Sequence, residues 1–167
     1  MTAEGMTASA PVGVGLLGMG VVGSGVAKAL LERSADIAGH VGAPVVLRQV
    51  LVRDAGRPRD IALPAGLLTT DPEAVLSDPG VQVVIELLGG DEPAHTYIGR
   101  ALAAGKHVVT ANKEVIARHG PELQALAVKS GVALRYEASV GGGIPLIAPF
   151  RQSLLANEIS SIRAIIN

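Results

Sequence analysis

Short apolar runs alternate with longer stretches in which apolar residues recur at helical spacing along nearly the whole chain. PVGVGLLG (11–18) is an apolar run of strand length, and VVGSGVAKALLER (21–33) sets Val22, Val26, Ala29 and Leu30 on one helical face, with Ser24, Lys28 and Glu32 elsewhere. PVVLRQVLV (44–52) reads as a second strand, delayed by ERSADIAGHVGAP (32–44). In TDPEAVLSD (70–78), Asp71 is placed to cap a short helix with Pro72 at its first position, ahead of the strand VQVVIELL (81–88). A helix from about 91 to 104 stops at Gly105 and leads to the strand KHVVTA (106–111). The last pair is a helix beginning near Pro121 and ending at Gly131, then a strand in VALRYEAS (132–139). Strands separated by helices of about ten to fifteen residues predict an α/β fold, a doubly wound and mostly parallel sheet with helices on both faces.

Residues 12–27 carry no charged side chain yet contain Gly13, Gly15, Gly18, Gly20, Gly23 and Gly25. A membrane-spanning helix needs about 20 consecutive apolar residues, and glycines at this density would badly weaken it. The preceding MTAEGMTASAP has no Lys or Arg to lead a signal peptide, so residues 1–11 read as a disordered tail. At the junction of the first strand and first helix, Gly18-Met19-Gly20-Val21-Val22-Gly23 forms G-x-G-x-x-G, the dinucleotide fingerprint of Rossmann-type domains. Gly18 allows the tight turn, Gly20 lets a pyrophosphate approach the backbone, and Gly23 lets helix and strand pack closely. The helix N-terminus then offers free N–H groups and a favourable dipole to the anion.

The second half of the fingerprint is less regular. An acidic residue about 20 positions on would meet the ribose 2′-hydroxyl of NAD, but here the second strand ends at Arg53-Asp54. Arg53 stands where a 2′-phosphate would be, which favours NADP, while Asp54 keeps NAD open. A solvated pair in the polar turn RDAGRPRD is the plainer alternative.

Composition narrows the remaining classes. A chain of 167 residues with 49% hydrophobic content is one domain with a sizeable core. A net charge of −1, one Phe, two Tyr and no Trp give no electrostatic or stacking case for nucleic acid. The absence of cysteine fits a cytoplasmic protein. His40, His95, His107 and His119 are scattered without a metal-ligand spacing and read mostly as surface residues.

Three further stretches, ELLGG (86–90), VVTANKEVIA (108–117) and YEASVGGGIPLI (136–147), taken with GLLGMGVVGSGV (15–26), resemble the cofactor domain of homoserine dehydrogenases, in order, over residues 12–167. The resemblance implies reversible hydride transfer between NAD(P)H and aspartate 4-semialdehyde to give L-homoserine, on the route to threonine and methionine. It implies backbone contacts to the dinucleotide from Met19, Val21 and Val22 beside the three glycines. Leu88 and Gly89 would lie by the riboses, and Thr110 and Lys113 near nicotinamide and substrate, with Lys113 the catalytic candidate. Without the resemblance, Lys113 reads as a surface lysine paired with Glu114 or solvated. EASVGGGIP matches a family site for a monovalent cation, usually sodium, held by Glu137, Val140, Gly142 and Ile144 largely through backbone carbonyls; the alternative is a tight turn into a helix near Pro145.

The family's substrate domain would follow SIRAIIN (161–167), so the chain is expected to be the nucleotide-binding part of a longer enzyme, inactive alone. The expected division is residues 12–144 for the nucleotide-binding domain and 145–167 for a connecting helix and strand. Apolar residues of IPLIAPF (144–150) favour a homo-oligomer. Two other readings are another two-domain NAD(P)-dependent dehydrogenase on the same fold and a non-catalytic NADP-binding sensor domain.

Overall fold

The computed structural model describes residues 9–164. Six strands form one parallel sheet: β1 (Val12–Leu17), β2 (Val45–Leu51), β3 (Leu68–Thr69), β4 (Val83–Glu86), β5 (His107–Thr110) and β6 (Leu134–Arg135), in the spatial order β3-β2-β1-β4-β5-β6. Between them run α1 (Val21–Glu32), α2 (Ser34–Val41), α3 (Glu73–Leu76), α4 (Ala94–Ala103) and α5 (Lys113–Lys129). This is the doubly wound order of the Rossmann fold, whose direction reverses between β1 and β4. The predicted fold class is the observed one.

Both faces of the sheet are covered, which is why the central strand β1 reads as a continuous apolar run. On one face Val14, Leu16, Leu47 and Val50 pack with Ala27 of α1; on the other Leu17, Val84 and Val108 pack with Val75, Ile98, Val115 and Leu123 of α3, α4 and α5. Strand ends are pinned in register, Leu17 beside Glu86 and Glu86 beside Thr110, so the carboxyl ends of β1, β4 and β5 finish level.

Several boundaries differ from expectation for identifiable reasons. The helix expected near Pro121 starts eight residues earlier, at Lys113. Asn112 caps it by accepting from the Val115 N–H at 3.2 Å, and Val115 is fully buried, so cap and core packing outweigh the proline within the helix. The helix expected from about 91 spans Ala94–Ala103, and α3 begins at Glu73, whose N–H donates to Asp71 Oδ1 at 2.9 Å. The stops at Gly105 and Gly131 hold, with φ of +76° and +68°. The face expected on α1 is rotated: Gly23 and Ala27 are buried, whereas Val22 and Ala29 are exposed.

The segment that delays β2 is the helix α2, and the two-residue strand β3 was not foreseen; both are too short or too weakly periodic to stand out. The strand expected in 132–139 is only Leu134–Arg135, followed by a 3-10 turn at Glu137–Ser139. Beyond Pro145 the chain forms a π-helical turn, Pro149–Ser153, and no strand among the described residues to 164. Of the tail expected over 1–11, residues 9–11 are exposed coil and 1–8 lie outside the described residues, as do 165–167.

Candidate cofactor-binding site

The crevice at the reversal point opens over the carboxyl ends of β1, β2 and β4. A space of about 500 Å³ there is lined by Gly18, Met19, Gly20, Arg53, Leu87 and Leu88 among others. A neighbouring space of about 350 Å³ shares Arg53 and Leu88 and extends to Thr70, Pro72, Gly89 and Tyr97.

Each fingerprint glycine has its own geometric reason. Gly18 has φ +96°, and a Cβ there would sit 2.8 Å from the Leu87 carbonyl oxygen, so only glycine turns the chain out of β1 without a clash. A Cβ on Gly23 would collide with the Gly18 carbonyl, because α1 packs directly on the turn. Gly20 faces open space: a Cβ there would meet nothing within 4 Å, which leaves its backbone approachable. No side chain caps α1 and no acidic residue lies in its first turn. Val21 is 95% exposed and Val22 58% exposed, so this helix end is open to a ligand instead of being packed.

At the end of β2, Arg53 and Arg57 are exposed and, among the described residues, form no ion pair. Both line the larger space. Asp54, also exposed, lines the same space, and its Oδ1 accepts from the Gly56 N–H of its own loop at 2.8 Å. Arg59 holds the same loop by donating to the carbonyls of Arg57 at 2.7 Å and Asp54 at 2.8 Å. Nothing in the sequence singles out Arg57 or Arg59; only the loop's fold brings them back to Gly18.

The expected nicotinamide-side residues divide into crevice surface and supporting wall. Leu88 and Gly89 line the space, and Lys113 is exposed at the first position of α5, at the carboxyl edge of the sheet. Among the described residues Lys113 forms no ion pair, and Glu114 pairs instead with Arg118 at 3.0 Å. Thr110 is fully buried behind this wall, its hydroxyl donating to Glu86 Oε2 at 2.6 Å and accepting from the Asn112 N–H at 2.9 Å. Asn112 Nδ2 donates to the Gly90 carbonyl at 2.7 Å, joining the loops after β4 and β5. The roles of Glu86 and Asn112 are not legible in the sequence.

The glycine-rich loop lies at the far end of the sheet. The Glu137 carboxylate accepts from the backbone N–H groups of Leu146, Ile147 (2.8 Å) and Ala148 (2.7 Å). These bonds, that of Leu146 foremost, hold its carboxyl below the usual glutamate range. The side chain is therefore committed to the following turn, and oxygen available for a cation is backbone oxygen. The carbonyls of Val140 and Gly142 accept no backbone hydrogen bond among the described residues, while that of Glu137 accepts from Val140 at 3.1 Å. Ile144, the fourth residue of the expected set, is 66% exposed.

Two histidines expected to be scattered meet where α4 packs on α5. The rings of His95 and His119 stack with centroids 3.9 Å apart and planes 16° apart, close to Glu122. His119 Nε2 pairs with Asp91 at 3.0 Å and His95 Nδ1 with Glu92 at 3.3 Å. The other nitrogen of each ring faces the Glu122 carboxylate, at 3.8 Å from His95 and 4.0 Å from His119, so in this arrangement the cluster ties α5 to the start of α4. Arg118, bonded to Asp91 at 2.9 Å, is the main reason the Asp91 carboxyl lies below its ordinary range.

Comparison with known proteins places these features in one family. The profile described as "Homoserine dehydrogenase, NAD binding domain" matches residues 18–137. The homoserine dehydrogenase of Synechocystis is 50% identical over 123 residues, covering 74% of this chain and 28% of that protein. That of Bacillus subtilis is 43% identical over 156 residues, covering 93% of this chain and 36% of its own length. The solved homoserine dehydrogenase from Thiobacillus denitrificans superposes with a TM-score of 0.81 at 42% identity, over 89% of this chain and 34% of that one. The chain thus spans about a third of the length of these relatives. It belongs to the homoserine dehydrogenase family and carries that family's nicotinamide-dinucleotide-binding domain.

Proposed function

We propose that this chain binds NADP in preference to NAD and supplies the cofactor site for the reversible conversion of L-homoserine and NADP+ to aspartate 4-semialdehyde, NADPH and a proton. The observation that carries the reading is the turn at Gly18, Gly20 and Gly23, where two glycines are sterically required and the third opens an uncapped helix end to solvent. A pyrophosphate fits there on the N–H groups of residues 20–23. Arg53 and Arg57 face the same space and suit a 2′-phosphate, which each can bind through two N–H donors. The adjoining space, where Pro72 and Tyr97 stand beside Arg53, Thr70 and Glu92, offers a slot of mixed polarity for the adenine.

The nicotinamide end is then directed along the loops after β4 and β5, towards Leu88, Gly89 and Lys113. Bound there, the cofactor supplies hydride acceptor and donor chemistry. Leu88 and Gly89 wall the ring from water, and the Lys113 ammonium holds the substrate oxygen or carboxylate by charge-assisted hydrogen bonds, orienting the reacting carbon. A sodium ion on the carbonyls of Glu137, Val140, Gly142 and Ile144 would brace the loop beyond β6 without entering the reaction. No described helix is long and apolar enough to cross a membrane, and the lack of cysteine suits the cytoplasm, where we place the enzyme. Exposed Ile144, Leu155 and Ile162 provide apolar surface for assembly into a homo-oligomer.

The test is titration of the chain with NADPH and NADH, followed by nicotinamide fluorescence, alongside Gly20→Asp. The chain binds NADPH more tightly, and an aspartate carboxylate at the pyrophosphate position abolishes binding of both. Undiminished binding by the Gly20→Asp chain would place the dinucleotide elsewhere.

A further inference from the structure

The least expected side chain in the core is Glu86. It ends β4, is fully buried, and among the described residues has no cationic partner. A buried carboxylate without a counter-ion is costly unless its oxygens are hydrogen-bonded. Here one oxygen accepts from the Leu88 N–H at 2.7 Å and the other from the Thr110 hydroxyl at 2.6 Å. Leu88 belongs to the loop that lines the crevice, and Thr110 is the register partner of Glu86 on β5. The Thr110 oxygen in turn accepts from Asn112, which caps α5 and anchors Gly90. One carboxylate therefore holds both segments proposed to meet the nicotinamide end.

A neutral amide would not do the same. Glutamine could accept from Leu88 and donate to Thr110, but the Thr110 oxygen would then receive two donors and its own proton would lose its acceptor. The charge also has a direct consequence. The carboxylate is bonded to the backbone of a crevice-lining residue, Leu88, with no cation among the described residues within ion-pair distance, and buried charge is weakly screened. The nicotinamide ring is cationic when oxidised and neutral when reduced, so a fixed negative charge beneath it discriminates between the two.

We propose that Glu86 is a positioning residue that locks the loops after β4 and β5 and whose uncompensated charge favours the oxidised over the reduced nicotinamide. The inference rests on the reading that the nicotinamide lies over these loops. The test measures dissociation constants of NADP+ and NADPH for the 167-residue chain, for Glu86→Gln and for Glu86→Asp, with circular dichroism to confirm folding. The expected result is that Glu86→Gln weakens NADP+ about tenfold more than it weakens NADPH, whereas Glu86→Asp, which keeps the charge, leaves the ratio of the two constants within about twofold of the original. An equal loss for both forms in Glu86→Gln overturns the proposal, since a merely structural role moves both together. Should Glu86→Gln fail to fold, Glu86→Met, also uncharged and of similar size, decides: a ratio shifted towards NADPH supports the proposal and an unchanged ratio overturns it. Failure of the original chain to bind either form would instead refute the cofactor site itself.

Discussion

Arg53 and Lys113 are the two residues on which the proposed function turns most sharply, and each stands exposed without an ion-pair partner among the described residues. Removing the Arg53 guanidinium takes away the proposed charged hydrogen-bonding partner of the 2′-phosphate, a loss of about 1.5–3 kcal/mol or about tenfold to a hundredfold in affinity. Arg53→Ala should therefore weaken NADP by that factor in a calorimetric titration and leave NAD nearly unchanged; equal NADP affinity would remove Arg53 from the site. In the enzyme containing this chain, Lys113→Ala should lower kcat/KM at least about a hundredfold, about 2.7 kcal/mol of transition-state stabilisation. Near-normal turnover would make Lys113 a bystander. A local pattern marks both residues as candidates in the sequence, the end of a strand in one case and TANK in the other. Arg57 and Glu86 are not so marked: Arg57 reaches the crevice only through the fold of its loop, and a glutamate closing an apolar strand gives no sign that both its oxygens are used inside.

Among the elements, α5 and the loop after β6 show how a cap can dominate. Asn112→Ala removes both the cap on Val115 and the tie to Gly90, so the stability lost should reach the upper part of the usual capping range of about 0.5–2 kcal/mol, read by chemical denaturation. Pro121 suggests a helix start that comes too late, because proline is favoured at the first helical turn and its tolerance inside depends on packing that one sequence does not display. The Glu137 clasp is pH-sensitive in a defined direction. Its folded carboxyl lies below the ordinary glutamate value of about 4.3, so its contribution is complete above that value and is lost as pH falls through the lower folded one. Hydrogen exchange should show the amides of Leu146, Ile147 and Ala148 losing protection across that acidic range, and Glu137→Gln should lack the step. Protection of these amides that is unaffected by acid would mean the clasp contributes nothing.

At the scale of the whole molecule, periodicity and turn residues were sufficient to specify a doubly wound sheet. The central strand β1 is a continuous apolar run and β4 is one closed by Glu86, and Gly105 and Gly131 mark the helix ends with positive φ. What periodicity does not carry is the meeting of distant loops, and the site is made of such meetings: Gly18 against Leu87, Thr110 against Glu86, Arg57 against the glycine turn. The proposed function depends on a nicotinamide dinucleotide lying across this meeting point with its pyrophosphate on the N-terminus of α1. The most direct measurement is a backbone amide NMR titration of the chain with NADP+. The expected result is saturable shifts largest at Met19, Gly20, Val21, Val22 and Gly23, with Arg53, Leu88 and Gly89 following at the same dissociation constant. Saturable shifts confined to the separate cavity between Leu134 and Gln152, with the glycine turn unmoved, would contradict it.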